Sequence, residues 1–103
     1  MAEAMRIRTQ LTGDTATVRV LMAHPMETGL RKDANGQQVP AWFIQEVSAR
    51  LNGETVLVAQ WGPSVAKNPF LQFNIRGVKP GDRISLSWVD SQGDQRSDEV
   101  LVS

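Results

Sequence analysis

Along most of the chain, apolar residues alternate with polar ones at every second position. In one such run, Leu71, Phe73 and Ile75 are each followed by a polar residue. A period of two indicates a strand with one face buried and the other in water. The alternation and the turn residues between its runs predict seven strands, at residues 5–12, 15–23, 42–51, 54–61, 70–76, 82–90 and 95–102.

Residues 40–53 fit two kinds of secondary structure. A helix would begin near Pro40, place Ile44 and Val47 on one face, and end at Asn52-Gly53. A strand would instead use Asn52-Gly53 as the two-residue turn of a hairpin, where both residues need a positive φ. The run that follows, 55–59, is rich in strongly β-forming residues. We therefore favour a strand.

Seven short strands separated by turn residues are typical of an all-β fold in which two sheets pack face to face. We predict an immunoglobulin-like antiparallel β-sandwich that forms one domain over residues 1–103. The Cys–Trp–Cys pattern of antibody domains is absent, so the order of the strands within each sheet stays open.

The lengths of the connections distinguish the two ends of the predicted sandwich. Successive connections between antiparallel strands lie at opposite ends, so short turns near 13–14, 52–53 and 77–81 share one end. The long connections 24–41 and 62–69 share the other end with the turn at 91–94. Because long loops in compact domains usually carry function, we predict that this second end binds a partner.

Charge and composition exclude several classes of protein. Eleven Lys plus Arg balance eleven Asp plus Glu, and this formal net charge of zero disfavours nucleic-acid binding. The absence of Cys excludes thiol chemistry and disulfides, and a single His excludes a two-His metal site. No secretion signal and no apolar run that could insert into a membrane are expected.

A few residues suggest chemistry, and each has a plainer explanation. His24 is the only His, and we expect it to pack or cap a loop rather than act as a general base. Met22 and Met26 carry thioethers that bind Cu(I), but we expect both to belong to the core or to a contact surface. The acidic stretch 90–99 lacks the spacing of a calcium loop and is expected to be a solvated turn. Two adjacent cations within 29–36 could dock an anion or an acidic partner, although a hydrated loop is the commoner outcome.

Two segments carry apolar residues on both faces. In the predicted strand 54–61, Val56 and Val58 point one way, while Leu57 and Trp61 point the other. Residues 42–44 are apolar at three consecutive positions. A sheet with one wet face would alternate cleanly, so a second surface must be covered, either by the long loops or by another protein. We favour a protein partner, because aromatic residues are typical anchors of interfaces.

Three stretches together resemble one known family: VLMAHPMETGLRKD (20–33), PAWFIQEV (40–47) and QWGPSVAKNPF (60–70). With Gly81-Asp82 and the turn between Trp88 and Asp94, they make the chain similar to the SoxZ family over nearly its whole length. The resemblance implies an immunoglobulin-like β-sandwich in which residues 42–51 form a strand.

The resemblance also implies a function. Members of the SoxZ family pair with SoxY, whose Cys on a flexible C-terminal arm carries thiosulfate-derived sulfur between the Sox enzymes. The chain would then be a non-catalytic subunit that scaffolds SoxY, in agreement with its lack of Cys. A periplasmic location is implied, reached by export together with the signal-bearing SoxY. The alternative is a stand-alone immunoglobulin-like module that binds a small molecule or polysaccharide through exposed aromatic residues.

Exposure and periodicity, rather than family motifs, suggest which residues make the contacts. The predicted buried part of the SoxY interface is apolar: Trp42, Phe43, Ile44, Leu57, Trp61 and Phe70. Exposed loop residues are predicted to recognise Sox enzymes or to shield the arm: Pro25, Met26, Arg31 and Lys32. No catalytic residue, cofactor or metal ligand is predicted, because no nucleophile–base pair or metal cluster can be assembled from the spacing.

Overall fold

A computed structural model describes residues 2–103, and its regular elements are seven strands. The strands are β1 (Arg6–Thr12), β2 (Thr15–Leu21), β3 (Ile44–Leu51), β4 (Glu54–Gln60), β5 (Phe70–Arg76), β6 (Arg83–Asp90) and β7 (Gln95–Leu101). The seven predicted strands are confirmed, with ends that differ by at most two residues. The helix considered for 40–53 is wrong. Within residues 2–103, no helix is long and apolar enough to cross a membrane.

One sheet has three antiparallel strands in the order β1-β2-β5. Its central strand shows why the sequence alternates. Ala16, Val18 and Val20 on β2 are fully buried, while the residues between them face outward. One face of the sheet therefore covers the core and the other meets solvent, which is the arrangement that a period of two predicts.

The other sheet has four antiparallel strands in the order β4-β3-β6-β7. Its first hairpin turns at Asn52 and Gly53, whose φ angles of 50° and 86° are both positive, as this two-residue turn requires. The Asn52 side-chain oxygen accepts the Arg83 backbone N–H at 2.8 Å, and the Asn52 N–H donates to the Arg83 carbonyl at 2.8 Å. These bonds tie the turn to the start of β6.

The position of β4 departs from that in constant-type immunoglobulin domains, where the fourth strand joins the sheet of strands one, two and five. Here the tight Asn52-Gly53 turn keeps β4 beside β3, because two residues cannot carry the chain across to the opposite sheet. The predicted immunoglobulin-like antiparallel sandwich is confirmed with this change. Contacts between β1 and β7 close one side of the sandwich, which leaves edge strands β4 and β5 on the other side.

The core lies between the two sheets and is built mainly by their central strands. Its largest fully buried side chains are Trp88, Met22, Ile44, Ile84 and Leu86. The edge strands contribute mainly residues that are only partly buried, because each has a neighbour on one side alone, although Ile75 of β5 is buried. These partly buried residues include Ile7, Leu11, Leu57, Ala59, Leu71, Phe73 and Val100.

The connection between β2 and β3 folds back on itself. Glu27 and Trp42 exchange two backbone hydrogen bonds of 2.6 and 2.9 Å, and Lys32 pairs with Gln38 further out. The Val39 N–H also donates to the Arg31 carbonyl at 2.8 Å. Residues 27–42 therefore form a short two-stranded projection, called here the hairpin arm.

Candidate functional site

Hydrogen bonds hold three connections together at one end of the sandwich, called here the loop end. The His24 carbonyl accepts the Asn68 N–H at 2.9 Å, and the Asn68 side-chain oxygen accepts the His24 N–H at 3.1 Å. The Ser91 N–H donates to the Phe43 carbonyl at 2.8 Å. The prediction that the 24–41, 62–69 and 91–94 connections share one end is confirmed, and their role in binding stays a prediction.

A buried His24–Asp90 pair lies beneath these loops. His24 Nε2 lies 2.9 Å from Asp90 Oδ2, and the two side chains are 1% and 0% exposed. His24 Nδ1 accepts the Met26 backbone N–H at 3.1 Å, so the ring proton belongs on Nε2, where it donates to Asp90. Both ring nitrogens are therefore occupied. The packing role predicted for His24 is confirmed.

Two tryptophans complete this cluster. The Trp42 ring meets the His24 ring edge to face, with centroids 5.1 Å apart, and Trp88 does so at 5.2 Å. Trp42 Nε1 also donates to Asp90 Oδ2 at 2.6 Å. Trp42 thus connects the base of the hairpin arm to the end of β6, and its indole N–H is already in use.

Asp90 accepts four hydrogen bonds although it is buried. Its Oδ2 accepts the two ring N–H groups, and its Oδ1 accepts the backbone N–H groups of Gln92 and Asp94 at 2.9 Å each. Burial acts to raise the pKa of Asp90, but the hydrogen bonds from His24, Trp42 and the turn outweigh it, and the pKa falls below its ordinary value of 3.8. The solvated turn expected at 90–99 is wrong for Asp90, because this residue occupies an inward position of β6.

A cleft of about 570 Å³ opens at the loop end. Trp42, Trp88 and Pro25 are among its lining residues, and the N-terminal residues 2–4 also border it. Its ionisable lining residues other than His24 are Glu3, Arg6, Lys67 and Asp94, two of each sign. Within residues 2–103, no group of three or more His, Cys, Asp or Glu side chains is placed to hold a metal ion.

The structure separates the six residues predicted for the partner interface. Trp42 and Phe43 are half-buried at the loop end, and Leu57 and Trp61 are half-buried against the core along β4 and just beyond it. Phe70 is 59% exposed and pairs with Leu21 on the outer face of the three-stranded sheet. These five residues have surface to offer a partner.

Ile44 corrects the predicted interface. It is 0% exposed and belongs to the core, so its placement among the contact residues is wrong. The run 42–44 did not show which of its three apolar residues faces inward. That choice follows from the irregularity in the pairing of β3 with β6 between Ile44 and Glu46, which places Ile44 opposite Asp90.

Of the four predicted loop residues, Met26 is not exposed. It is 6% exposed, has a φ of 52°, and its sulfur accepts the Ile44 N–H at 3.4 Å. Its predicted exposure is wrong, and of the two environments expected for Met22 and Met26, core or contact surface, the structure shows the core for both. The left-handed backbone turns the Met26 side chain inward from a loop.

The remaining three loop residues keep accessible surface. Pro25 is half-buried at the cleft, and Arg31 and Lys32 are exposed on the hairpin arm. Arg31 contacts both carboxylate oxygens of Glu27, at 2.6 Å for the shortest distance. The hydrogen bond from Arg31 lowers the pKa of Glu27. Arg31 is therefore already paired, whereas Lys32 makes no ion pair within residues 2–103.

Sequence reasoning did not select several exposed apolar residues. Leu30 on the hairpin arm is 83% exposed, Leu101 is 64% exposed, and Val58 on the outer face of β4 is 51% exposed. In the sequence, each of these three residues can be recognised as an apolar residue at an outward strand position or in a loop. Such residues, here on the arm and on the edge strands β4 and β7, are features of surfaces that other proteins cover.

This arrangement defines a two-sheet β-sandwich whose one buried His–Asp pair is fully hydrogen-bonded and whose exposed residues suit protein contacts. The family model described as Sulphur oxidation protein SoxZ matches residues 5–101 of the 103. The chain therefore belongs to the SoxZ family, which implies a role in sulfur oxidation, and the resemblance stated from its sequence is confirmed. No curated protein sequence matches the chain.

Proposed function

We propose that this chain is the non-catalytic subunit of a SoxYZ sulfur carrier, in which the partner SoxY holds the sulfur on the Cys of a flexible arm. One observation carries the proposal: a SoxZ match over residues 5–101 in a chain that contains no Cys. Covalent attachment of sulfur requires a thiolate, so the reactive atom comes from another chain. We also propose that the pair works in the periplasm and that SoxY supplies the export signal.

The chemistry of the loop end supports binding rather than catalysis. A general base needs a free lone pair within reach of a substrate. His24 has none, because Nδ1 accepts the Met26 N–H and Nε2 donates to Asp90. Both Asp90 oxygens are likewise saturated by four donors. The cluster instead holds the base of the hairpin arm against the end of β6, which gives the loops a rigid foundation.

The contact with SoxY is proposed for the side of the sandwich where β4 and β5 are edge strands. Leu57 and Trp61 pack against the core there and remain half-exposed, and Phe70 adds a 59% exposed aromatic ring. Covering these side chains would remove apolar surface from water at about 25 cal/mol per Å². Trp42 and Phe43 extend the proposed contact toward the hairpin arm.

The hairpin arm is proposed to contact the other Sox enzymes transiently. It presents the exposed Leu30 beside the cation of Lys32 and the Glu27–Arg31 pair. A mixture of apolar and charged groups on a projecting loop suits contacts that form and break during each transfer.

Co-purification with SoxY tests the proposed function. The chain carries an affinity tag and is co-expressed with SoxY of the same organism, and complex formation is followed by size-exclusion chromatography. We expect the two proteins to co-elute, and the chain alone to leave thiosulfate unchanged. Separate elution of the two proteins, or oxidation of thiosulfate by this chain alone, would refute the proposal.

A pair of matched variants tests the location of the contact. F70S removes an exposed aromatic ring at the proposed interface, and L101S removes an apolar side chain of similar exposure, 64%, from the distant edge strand β7. Loss of an aromatic anchor typically costs about 2 kcal/mol, so we expect F70S to weaken SoxY binding by about thirtyfold. L101S should bind like the wild type. Equal affinities of the two variants would place the contact elsewhere.

The alternative function, binding of a saccharide on exposed tryptophans, receives less support. The Trp42 indole packs on His24 and donates to Asp90, so it does not present a free stacking surface. Titration with sugars, followed by tryptophan fluorescence, is expected to show no saturable change. A saturable response together with a lack of SoxY binding would favour the alternative.

A further inference from the structure

The outer face of the three-stranded sheet concentrates arginine. The strand register places four outward positions each on β1, β2 and β5, at alternate residues of 6–12, 15–21 and 70–76. Arg6, Arg8, Arg19 and Arg76 occupy four of them, and none is occupied by Asp, Glu or Lys. This surface is called here the basic sheet face.

The four arginines are not neutralised within the protein. Across residues 2–103, the arginines that form ion pairs are Arg31, Arg83 and Arg96, none of which lies on this face. The one hydrogen bond given by a guanidinium of the face runs from Arg19 Nε to the neutral Gln72 side chain at 3.2 Å. Four cations therefore stand on one sheet surface without a carboxylate within ion-pair distance.

Two of these cations oppose each other directly. Arg8 and Arg19 are paired positions of the antiparallel β1–β2 ladder, with Gln72 next in the same row. Like charges at paired positions destabilise a sheet. The isolated chain thus retains a repulsive pair, which carboxylates placed between the two guanidinium groups would relieve.

The outer face of the opposite sheet shows that an excess of arginine over acidic residues is not a general property of the protein surface. The outer face of the four-stranded sheet mixes both signs, with Glu46 and Glu99 alongside Arg50 and Arg83. Arg83 and Glu99 form an ion pair there, at 3.5 Å. The basic sheet face is therefore a local excess of positive charge on a chain whose formal net charge is zero.

We propose that the basic sheet face is an interaction surface for a protein that presents clustered Asp and Glu side chains. Arg matches carboxylates with two parallel hydrogen bonds, and enrichment in Arg with depletion of Lys, Asp and Glu is typical of the core of protein interfaces. A nucleic acid is the weaker candidate, because the chain as a whole has no excess charge to release counterions. The proposal does not depend on the sulfur chemistry of a partner.

Binding of an acidic probe tests this surface. A short fluorescein-labelled peptide of alternating Glu and Ser is titrated with the chain, and fluorescence anisotropy is recorded at low and at physiological ionic strength. We expect binding that weakens with salt, and amide chemical shifts that move on β1, β2 and β5. R8Q/R19Q should weaken binding about fivefold, as two exposed ion pairs predict.

R50Q/R83Q is the matched control, because it removes two arginines from the opposite sheet and changes the net charge equally. It should bind the peptide like the wild type. R8Q/R19Q should melt no lower than the wild type, because it removes a like-charge pair. The proposal is overturned if the peptide does not bind, if both variants weaken binding equally, if R8Q/R19Q is clearly destabilised, or if a short DNA duplex or anionic vesicles bind more tightly than the peptide.

Discussion

Replacing Asp90 with Asn tests whether the buried cluster holds the loop end together. The substitution keeps the shape of the side chain but exchanges the carboxylate Oδ2 for an amide NH₂. If the amide oxygen continues to accept the Gln92 and Asp94 N–H groups, the NH₂ faces the N–H groups of His24 and Trp42. Moving the His24 proton to Nδ1 does not help, because that nitrogen then faces the Met26 N–H.

The expected loss of stability in D90N follows from the number of buried donors that the substitution leaves without an acceptor. Each buried unsatisfied donor costs about 1–3 kcal/mol, and the His24 and Trp42 ring N–H groups would both lose their acceptor. We expect D90N to lower the free energy of unfolding by about 3 kcal/mol. For a domain of this size, that loss lowers Tm by about 12–24 °C.

Thermal unfolding followed by circular dichroism measures the effect. D94N is the matched control, because the Asp94 carboxylate accepts one bond, from the adjacent and exposed Gln95 N–H. It should change the free energy of unfolding by about 0.5 kcal/mol or less. A D90N variant that melts within a few degrees of D94N would show that the four bonds to Asp90 do not stabilise the fold.

Three further predictions concern acid stability and turns. Because the pKa of Asp90 is lowered in the folded state, the stabilisation that its carboxylate provides is complete above the ordinary pKa of 3.8 and is lost as pH falls through the folded-state pKa. Acidification should therefore reduce the free energy of unfolding of D90N less than that of the wild type. G29A should cost about 1–2 kcal/mol in chemical denaturation, more than G36A, because both have positive φ but only at Gly29 would a Cβ meet Ala41, at 3.1 Å. N52A should cost about 1–2 kcal/mol, since it removes the acceptor for Arg83 N–H and a residue suited to φ 50°; a melting curve unchanged from wild type would contradict this.

The alternation of apolar and polar residues predicted the strands well, because each strand buries alternate residues against a single core. The residues of 71–76 alternate in sequence, and Ile75 and its inward neighbours pack against that core in the structure. The Asn52-Gly53 turn could also be predicted, since few other residue pairs adopt positive φ twice in succession. Its consequence, the position of β4 beside β3, followed from the same two residues.

The candidate site was harder to predict, because burial in a loop has no period. Met26 lies in a loop, yet a φ of 52° and a hydrogen bond to Ile44 N–H turn it into the core. Asp90 lies next to a turn, yet two of its four donors come from distant segments, at His24 and Trp42. Neither environment can be read from neighbouring residues, since the partners are 18 to 66 positions away in sequence.

The sequence by itself determined the all-β class, the strand positions, the hairpin at 52–53 and the family, because each depends on residues close together in the chain. Only the tertiary structure decided which apolar residues are exposed, why neither ring nitrogen of His24 is free, and where the arginines without an ion pair gather. Those properties arise when β1, β2 and β5 come into register and when the loops meet over Asp90. The basic sheet face and the cluster around Asp90 thus depend on packing between residues far apart in the chain, which the alternation of apolar and polar residues does not predict.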